Sequence, residues 1–256
     1  MLMEGVMKVI VLVEDTQESS QVDAAFGLSL YIEYDGTKIL YDLGPDRTFI
    51  ENAKKLNVAI DEVDYVVLSH GHLDHTGGLN YLKDKPVYIQ TGASEVLSSR
   101  HRDISMPDYD CIRVDKEATI ESNIHLLTNQ SKFGFVPDND HLFRNDCLDD
   151  FSHELMLVIE LPSSLVLFSG CSHQGISNMI YTAENKFSKP VSHAFGGMHL
   201  KDYEETYEFE GLKDELLRMS TIFYTGHCTG RYAYRYLQKH LKGRLHRLSS
   251  GKEFIF

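Results

Sequence analysis

At 256 residues with 42% hydrophobic content, the chain is long enough to bury a large core without disulfide staples. Its 38 acidic against 25 basic residues give a formal net charge of -13, which disfavours nucleic acid and anionic membranes and leaves a small molecule as the expected partner. Four widely spaced cysteines, Cys111, Cys147, Cys171 and Cys228, read as reduced thiols, and no apolar run nears the roughly 20 residues of a membrane span, so a soluble, cytoplasmic protein is expected.

The apolar stretch Val9–Val13, preceded by an acid at Glu4, is too short for a signal segment and reads as part of a first strand, Lys8–Val13. Leu28–Tyr34 and Lys38–Tyr41 form a hairpin around Asp35-Gly36-Thr37, because Asp-Gly supplies the positive φ angles of a tight turn. Thr48–Leu56 reads as a helix, with Phe49, Ile50, Ala53 and Leu56 on one face. Tyr65–Ser69 is continuously apolar up to its final serine, the pattern of a strand buried on both sides. A short helix at Leu79–Leu82 and a strand at Val87–Gln90 follow, and the pattern is weak from Ser99 to Glu121.

Ile124–Thr128 reads as a strand, and Gln130–Asp150 as a polar loop. A second hairpin joins Leu155–Leu161 to Leu165–Ser169. Beyond it come helix Ile176–Lys186, strand Val191–Phe195, helix Tyr203–Met219, strand Thr221–Thr225, helix Arg231–His240, and a terminal strand pair at Arg244–Leu248 and Glu253–Phe256. Two mixed sheets packed together with helices on the outer faces, an αββα sandwich, is the layered solution to this order. The expectation is one α/β domain, 1–256, with halves near 1–120 and 121–256.

The decisive stretch is Ser69-His70-Gly71-His72-Leu73-Asp74-His75-Thr76-Gly77-Gly78. Residues two apart on an extended segment project to one side, so His70 and His72 can grip one ion while Asp74 and His75 face a second. Imidazole and carboxylate donors suit zinc, iron or manganese, and Gly71, Gly77 and Gly78 let the backbone fold tightly around the ions. One histidine in a polar loop carries no such meaning; four donors within six residues at a strand end do.

HGHLDHTGG resembles the signature of the metallo-β-lactamase superfamily. FGLSLYIEYDGTKILYDLG, DDFSHELMLVIE, LFSGCSHQGISNMI, AFGGMHL and YTGHCTG extend the likeness over nearly the whole chain. Their order is similar to the branch named 7,8-dihydropterin-6-yl-methyl-4-(β-D-ribofuranosyl)aminobenzene-5′-phosphate synthase. The resemblance implies two divalent ions, with His70 and His72 on the first and Asp74, also the expected catalytic residue, and His75 on the second. It implies His153 as a further ligand of the first ion, against a surface histidine at a strand end, and His227 as the last ligand of the second. Asp42 is implied to orient metal-bound histidines by hydrogen bonding, against a plain turn aspartate.

The superfamily commonly bridges its ions with an aspartate after a strand–Gly turn, where this chain reads Ser169-Gly170-Cys171. Cys171 is either a thiolate ligand or a small buried residue beside a site without its bridge. His173 either coordinates, contacts substrate, or is a helix-start histidine bonded to backbone. His199, after two glycines, is placed near the metals or substrate. The junctions Gly170–Gly175 and Gly226–Gly230 lead into helices, whose N-termini favour anions, with Ser172 and Thr229 as hydroxyl contacts. His101, His125, His141, His193, His240 and His246 have no such context and are assigned to packing or the surface. The run Pro137-Asp138-Asn139-Asp140 lacks the pattern of a calcium loop.

Such a site activates a water at neutral pH and polarises the electrophile, so the expected reaction is hydroxide attack on a phosphoester, thioester, lactone or amide of a small phosphate- or carboxylate-bearing molecule. The Gln130–Asp150 loop, with Phe133, Phe135 and Phe143, is either a lid over an aromatic substrate such as a pterin or a surface loop. The rivals are a synthase joining a pterin moiety to an arylamine, a redox centre, and a non-catalytic metal- or ligand-binding protein.

Overall fold

Asp35 and Gly36 take φ values of 48° and 83°, the left-handed pair that a two-residue hairpin turn demands. The computed structural model describes residues 5–100 and 102–256; Glu4 and His101 lie outside the described residues. With Tyr34 paired to Thr37, Thr37 belongs to the strand rather than to the turn. The described residues fall into two compact units: one runs to Asp115 and takes in His141–Leu148 and Leu248–Phe256, and the other comprises Lys116–Asp140 and Asp149–Arg247.

The first unit holds a seven-stranded sheet in the order Glu253–Ile255, Met7–Val13, Ser29–Tyr34, Thr37–Tyr41, Tyr65–Val67, Val87–Gln90, Ile112–Val114. Its first four strands are antiparallel and the rest join in parallel. Helix Thr48–Lys55 packs on this sheet through buried Phe49 and Ala53, with Ile50 and Leu56 partly buried beside them. Asp46 Oδ1 accepts the Thr48 amide at 2.9 Å in a local turn just ahead of the helix. Leu12, Leu40, Leu43, Val66 and Leu68 complete the core, each side chain contributing about 1.5–3 kcal/mol by burial.

The second unit repeats the scheme in the order Leu245–Arg247, Ile222–Thr225, Val191–Phe195, Leu165–Phe168, Leu155–Glu160, Ile124–Thr128, Glu117–Glu121. Here the first four strands are parallel and the others antiparallel. Helices Ile176–Phe187, Glu210–Arg218 and Arg231–Leu241 bury Ile180, Leu216 and Leu237 in its core.

Three expectations are revised. The last two strands do not pair with each other: Leu245–Arg247 joins Ile222–Thr225, while Glu253–Ile255 lies antiparallel to the first strand. The predicted helix Tyr203–Met219 shrinks to Glu210–Arg218; Glu204 and Glu208, like charges four apart, oppose an earlier start, and the rings of Tyr203, Tyr207 and Phe209 cluster instead. Within Gln130–Asp150, the first part is pinned by side chains. Gly134 N donates to Asn178 Oδ1 at 2.6 Å, Phe135 N to the Glu215 carboxylate, and Asp138 N to the Tyr203 hydroxyl at 2.8 Å. The later part forms a small hairpin, Leu142–Arg144 with Cys147–Leu148, which extends strands Leu97–Ser99 and Arg102–Asp103 of the first unit. The Asn145-Asp146 turn, with both φ values positive, was its one sequence signal.

Candidate metal centre

In the first unit the strand Tyr65–Val67 delivers His70, and His72 takes the capping position of the short helix Leu73–Thr76, with its carbonyl accepting the His75 and Thr76 amides. The rings of His70 and His72 lie 4.5 Å apart and those of His70 and His75 4.3 Å apart, all three buried. Asp74 is partly exposed, its Oδ2 3.9 Å from His75 Nε2. Donors on one tetrahedral zinc, each about 2.0–2.2 Å from it, lie about 3.3–3.6 Å apart, so this pair comes within a few tenths of an ångström of sharing an ion.

Asp42 organises the cluster. It ends strand Thr37–Tyr41 with φ 58° and is fully buried. Its Oδ1 accepts the Ser69 amide at 2.7 Å, and its Oδ2 accepts the Ser69 hydroxyl at 2.7 Å and His75 Nδ1 at 2.6 Å. Ser69 Oγ lies 2.9 Å from His70 Nδ1. Because its one proton goes to Asp42, that hydroxyl accepts from His70. Both imidazoles are thereby set with Nδ1 protonated and Nε2 presented as the donor atom.

Two of the segment's glycines sit where no side chain fits. A Cβ at Gly71 would lie 1.9 Å from the Ala93 carbonyl oxygen, and one at Gly77 would lie 2.0 Å from that of Pro45. They let the segment press against neighbouring backbone.

In the second unit His153 is buried at the start of strand Leu155–Glu160, and its Nε2 donates to Asp149 Oδ2 at 2.8 Å. That bond makes Nδ1 its lone-pair nitrogen, the reverse of His70 and His75. His173 is set by a side chain, not by backbone: its Nδ1 donates to Asn139 Oδ1 at 2.8 Å while Asn139 Nδ2 donates to the His173 carbonyl at 3.0 Å. Phe151 stacks on the His173 ring at 3.8 Å, and His199 lies 4.0 Å from it, centre to centre. Cys171 Sγ has ligating atoms of His173, of His227, and of His199 with Cys228 within 4.8 Å. Burial raises the Cys228 thiol, but hydrogen bonding by Cys171 and His199 and the charge of His227 outweigh it and hold the thiol well below its ordinary range.

The anion-binding junction at Gly170–Gly175 is filled from within. The buried Glu154 carboxylate accepts the His173 amide at 2.8 Å and the Gln174 amide at 2.9 Å. Burial pushes this carboxyl up to about 8, against the two amides, which favour its ionised form. Nor are the hydroxyls aimed at a ligand. Ser172 Oγ is buried 2.8 Å from Ser169 Oγ, and Thr229 Oγ1 accepts the Met198 amide at 3.0 Å beside Thr225 Oγ1. Ser172 thereby braces its own loop, and Thr229 ties two strand-end loops together.

Sequence reasoning missed Ser69, Asn139, Asp149, Glu154 and Cys228. Asp149 stands four residues before His153, a spacing that offered a signal; Asn139 stands in the run set aside as a plain loop. His125, His193, His240 and His246 pack against Phe187, Tyr224, Tyr236 and Tyr224, as packing histidines do. The four cysteines form no disulfide, and among the described residues no helix is long and apolar enough to cross a membrane.

A family model described as the metallo-beta-lactamase superfamily matches residues 22–174, more than half of the chain. The 7,8-dihydropterin-6-methyl-4-(beta-D-ribofuranosyl)-aminobenzene-5'-phosphate synthase of Methanocaldococcus jannaschii is 27% identical over 98% of this chain and 97% of its own length. A metal-dependent hydrolase of Staphylococcus aureus is 37% identical over 28% of the chain and 32% of its own. Among solved structures, Tm1679, a metal-dependent hydrolase of the beta-lactamase superfamily, superposes with a TM-score of 0.85 at 26% identity, covering 97% of this chain and 98% of that one. The α/β fold of mixed sheets and helices and the divalent-metal chemistry it implies are thus those of an enzyme family, and the chain belongs to the metallo-beta-lactamase superfamily.

Proposed function

We propose that the chain is a metal-dependent hydrolase of a small anionic substrate, using two divalent ions, zinc foremost, with His70, His72, Asp74 and His75 as ligands. His153, Cys171 and His227 are proposed as further ligands on the family likeness. The observation that carries the reading is the Asp42 hub, which costs a buried carboxylate and a left-handed backbone to present two imidazole Nε2 atoms. When bound, the ions would supply Lewis-acid polarisation and a water acidic enough to ionise near neutrality.

The residues' own work is positional. Asp42 holds the His75 proton on Nδ1, Ser69 does the same for His70, and Asp149 holds that of His153 on Nε2. Asp74, partly open to solvent beside His75, is the group placed to orient an incoming water. His173 and His199 stand as substrate contacts in this reading, whereas Ser172 and Thr229 do not. An anionic, pterin-like substrate is supported by the phosphate and pterin in the name of the full-length relative, and a cytoplasmic location by four cysteines that form no disulfide.

That relative, matched end to end, also favours a second reading, a synthase joining a pterin moiety to an arylamine. The two separate on products. Zinc-loaded protein is offered phosphoesters, thioesters and lactones, and separately a pterin with an arylamine. Hydrolysed product that disappears on chelation is expected; coupled product alone selects the synthase, and no turnover on any panel overturns the enzymatic account.

A further inference from the structure

Three loops at the ends of adjacent parallel strands bring together a donor set of a different kind from the His70–His75 segment. Cys171 follows strand Leu165–Phe168, His199 follows Val191–Phe195, and Cys228 follows Ile222–Thr225. One ligating atom from each lies within 4.8 Å of the other two, and all three side chains are buried. Two sulfurs on one tetrahedral zinc, each about 2.3 Å from it, lie about 3.8 Å apart, so closing the set takes at most about 1 Å.

The backbone is shaped for this approach. A Cβ at Gly197 would lie 2.3 Å from Cys228 Sγ; any other residue there would displace that sulfur. His199 sits at φ 47° and Ser172, next to Cys171, at φ 55°, a backbone strain that well-determined functional loops tolerate. The His199 amide donates to Cys228 Sγ at 3.3 Å, stabilising negative charge on sulfur.

We propose that Cys171, His199 and Cys228 form a thiophilic metal site within the second unit, taking one zinc-class ion through two thiolates and one imidazole. Binding releases the two thiol protons to solvent as two sulfur–metal bonds form, so no oxidant or reductant is needed. The site goes beyond the hydrolytic reading: it shares Cys171 with the ligand set proposed there and takes His199 as a ligand rather than a substrate contact, while Cys228 belongs to it alone. Two thiolates select zinc over the harder manganese.

The test is cobalt(II) loading of the full chain carrying Cys111→Ala and Cys147→Ala, with and without His70→Ala and His72→Ala. Folding is checked by circular dichroism. A near-ultraviolet thiolate-to-cobalt charge-transfer band is expected in both forms, falling by about half in Cys228→Ser as one of two thiolates is lost. His199→Ala should keep the band but raise the cobalt dissociation constant by about tenfold or more. Folded protein without the band, or a band indifferent to Cys228→Ser, overturns the proposal. Should the multiple variant not fold, cadmium-113 NMR of the Cys228→Ser and unaltered chains decides: a resonance in the two-thiolate range that is lost in Cys228→Ser supports the site, and resonances of one thiolate or none in the unaltered chain refute it. Loss of hydrolysis on His70→Ala with the band retained would separate this site's fate from that of the hydrolytic reading.

Discussion

The His70–His75 segment and the Cys171, His199 and Cys228 group both lie at the carboxyl ends of parallel strands, yet they differ in hardness and in what fixes them. The first is contiguous and rich in nitrogen and oxygen donors, with ring orientation governed by one carboxylate, Asp42, acting directly on His75 and through Ser69 on His70. The second is assembled from three loops, contains two sulfurs, and is held by close backbone approach at Gly197 and an amide–sulfur bond. One sheet layout thus serves two chemistries, and the strand-end loops decide which.

Removing a donor from the first cluster should give the largest effect. His72→Ala is expected to lower zinc-dependent turnover by about a thousandfold or more while leaving the thermal midpoint within a few degrees; steady-state kinetics and a melting curve check both. Next comes orientation. Asp42→Asn retains a residue that tolerates a left-handed backbone but removes the acceptor of two protons, so zinc affinity should fall about 10- to 100-fold in a chelator-competition titration. An equal loss for Ser69→Ala and Asp42→Asn would show that the relay to His70 carries the whole effect.

The second unit offers a stability test. Glu154→Ala leaves the buried His173 and Gln174 amides without their acceptor and should cost about 1–3 kcal/mol, read by denaturant unfolding. No change would mean that the junction's amides are open to ligands after all. The smallest effect is pH-dependent. Burial first, and then His246, hold the His193 imidazole below its usual 6.5. The unfolded chain therefore takes up a proton near 6.5 that the folded chain resists, and stability present above that pH is lost as pH falls further. His193→Gln should flatten the decline in melting temperature between neutrality and about pH 5.

The same contrast explains what could be read in advance. Val191–Phe195, Val87–Gln90 and Ile124–Thr128 stand where periodicity places them because continuous apolar runs bounded by turn residues have few other solutions. The His-x-His-x-Asp-His donors were legible for a similar reason: their spacing is local. Cys228, Glu154 and Asn139 were not, because their roles depend on partners 57, 19 and 34 residues away, and no local pattern encodes such pairings. The Gly170–Gly175 junction looked open to anions from sequence because the acceptor of its His173 and Gln174 amides, Glu154, comes from another strand's start. Asp42 fell between these cases: its place at a strand end was visible, whereas the three hydrogen bonds that give it a task were not.

Ring-nitrogen NMR of histidine-labelled protein during zinc titration tests the central claim most directly. The structure predicts that the Nε2 resonances of His70 and His75 shift on zinc binding while the Nδ1 protons facing Ser69 and Asp42 persist. Resonances unmoved at saturating zinc, or zinc displacing those Nδ1 protons, would contradict it.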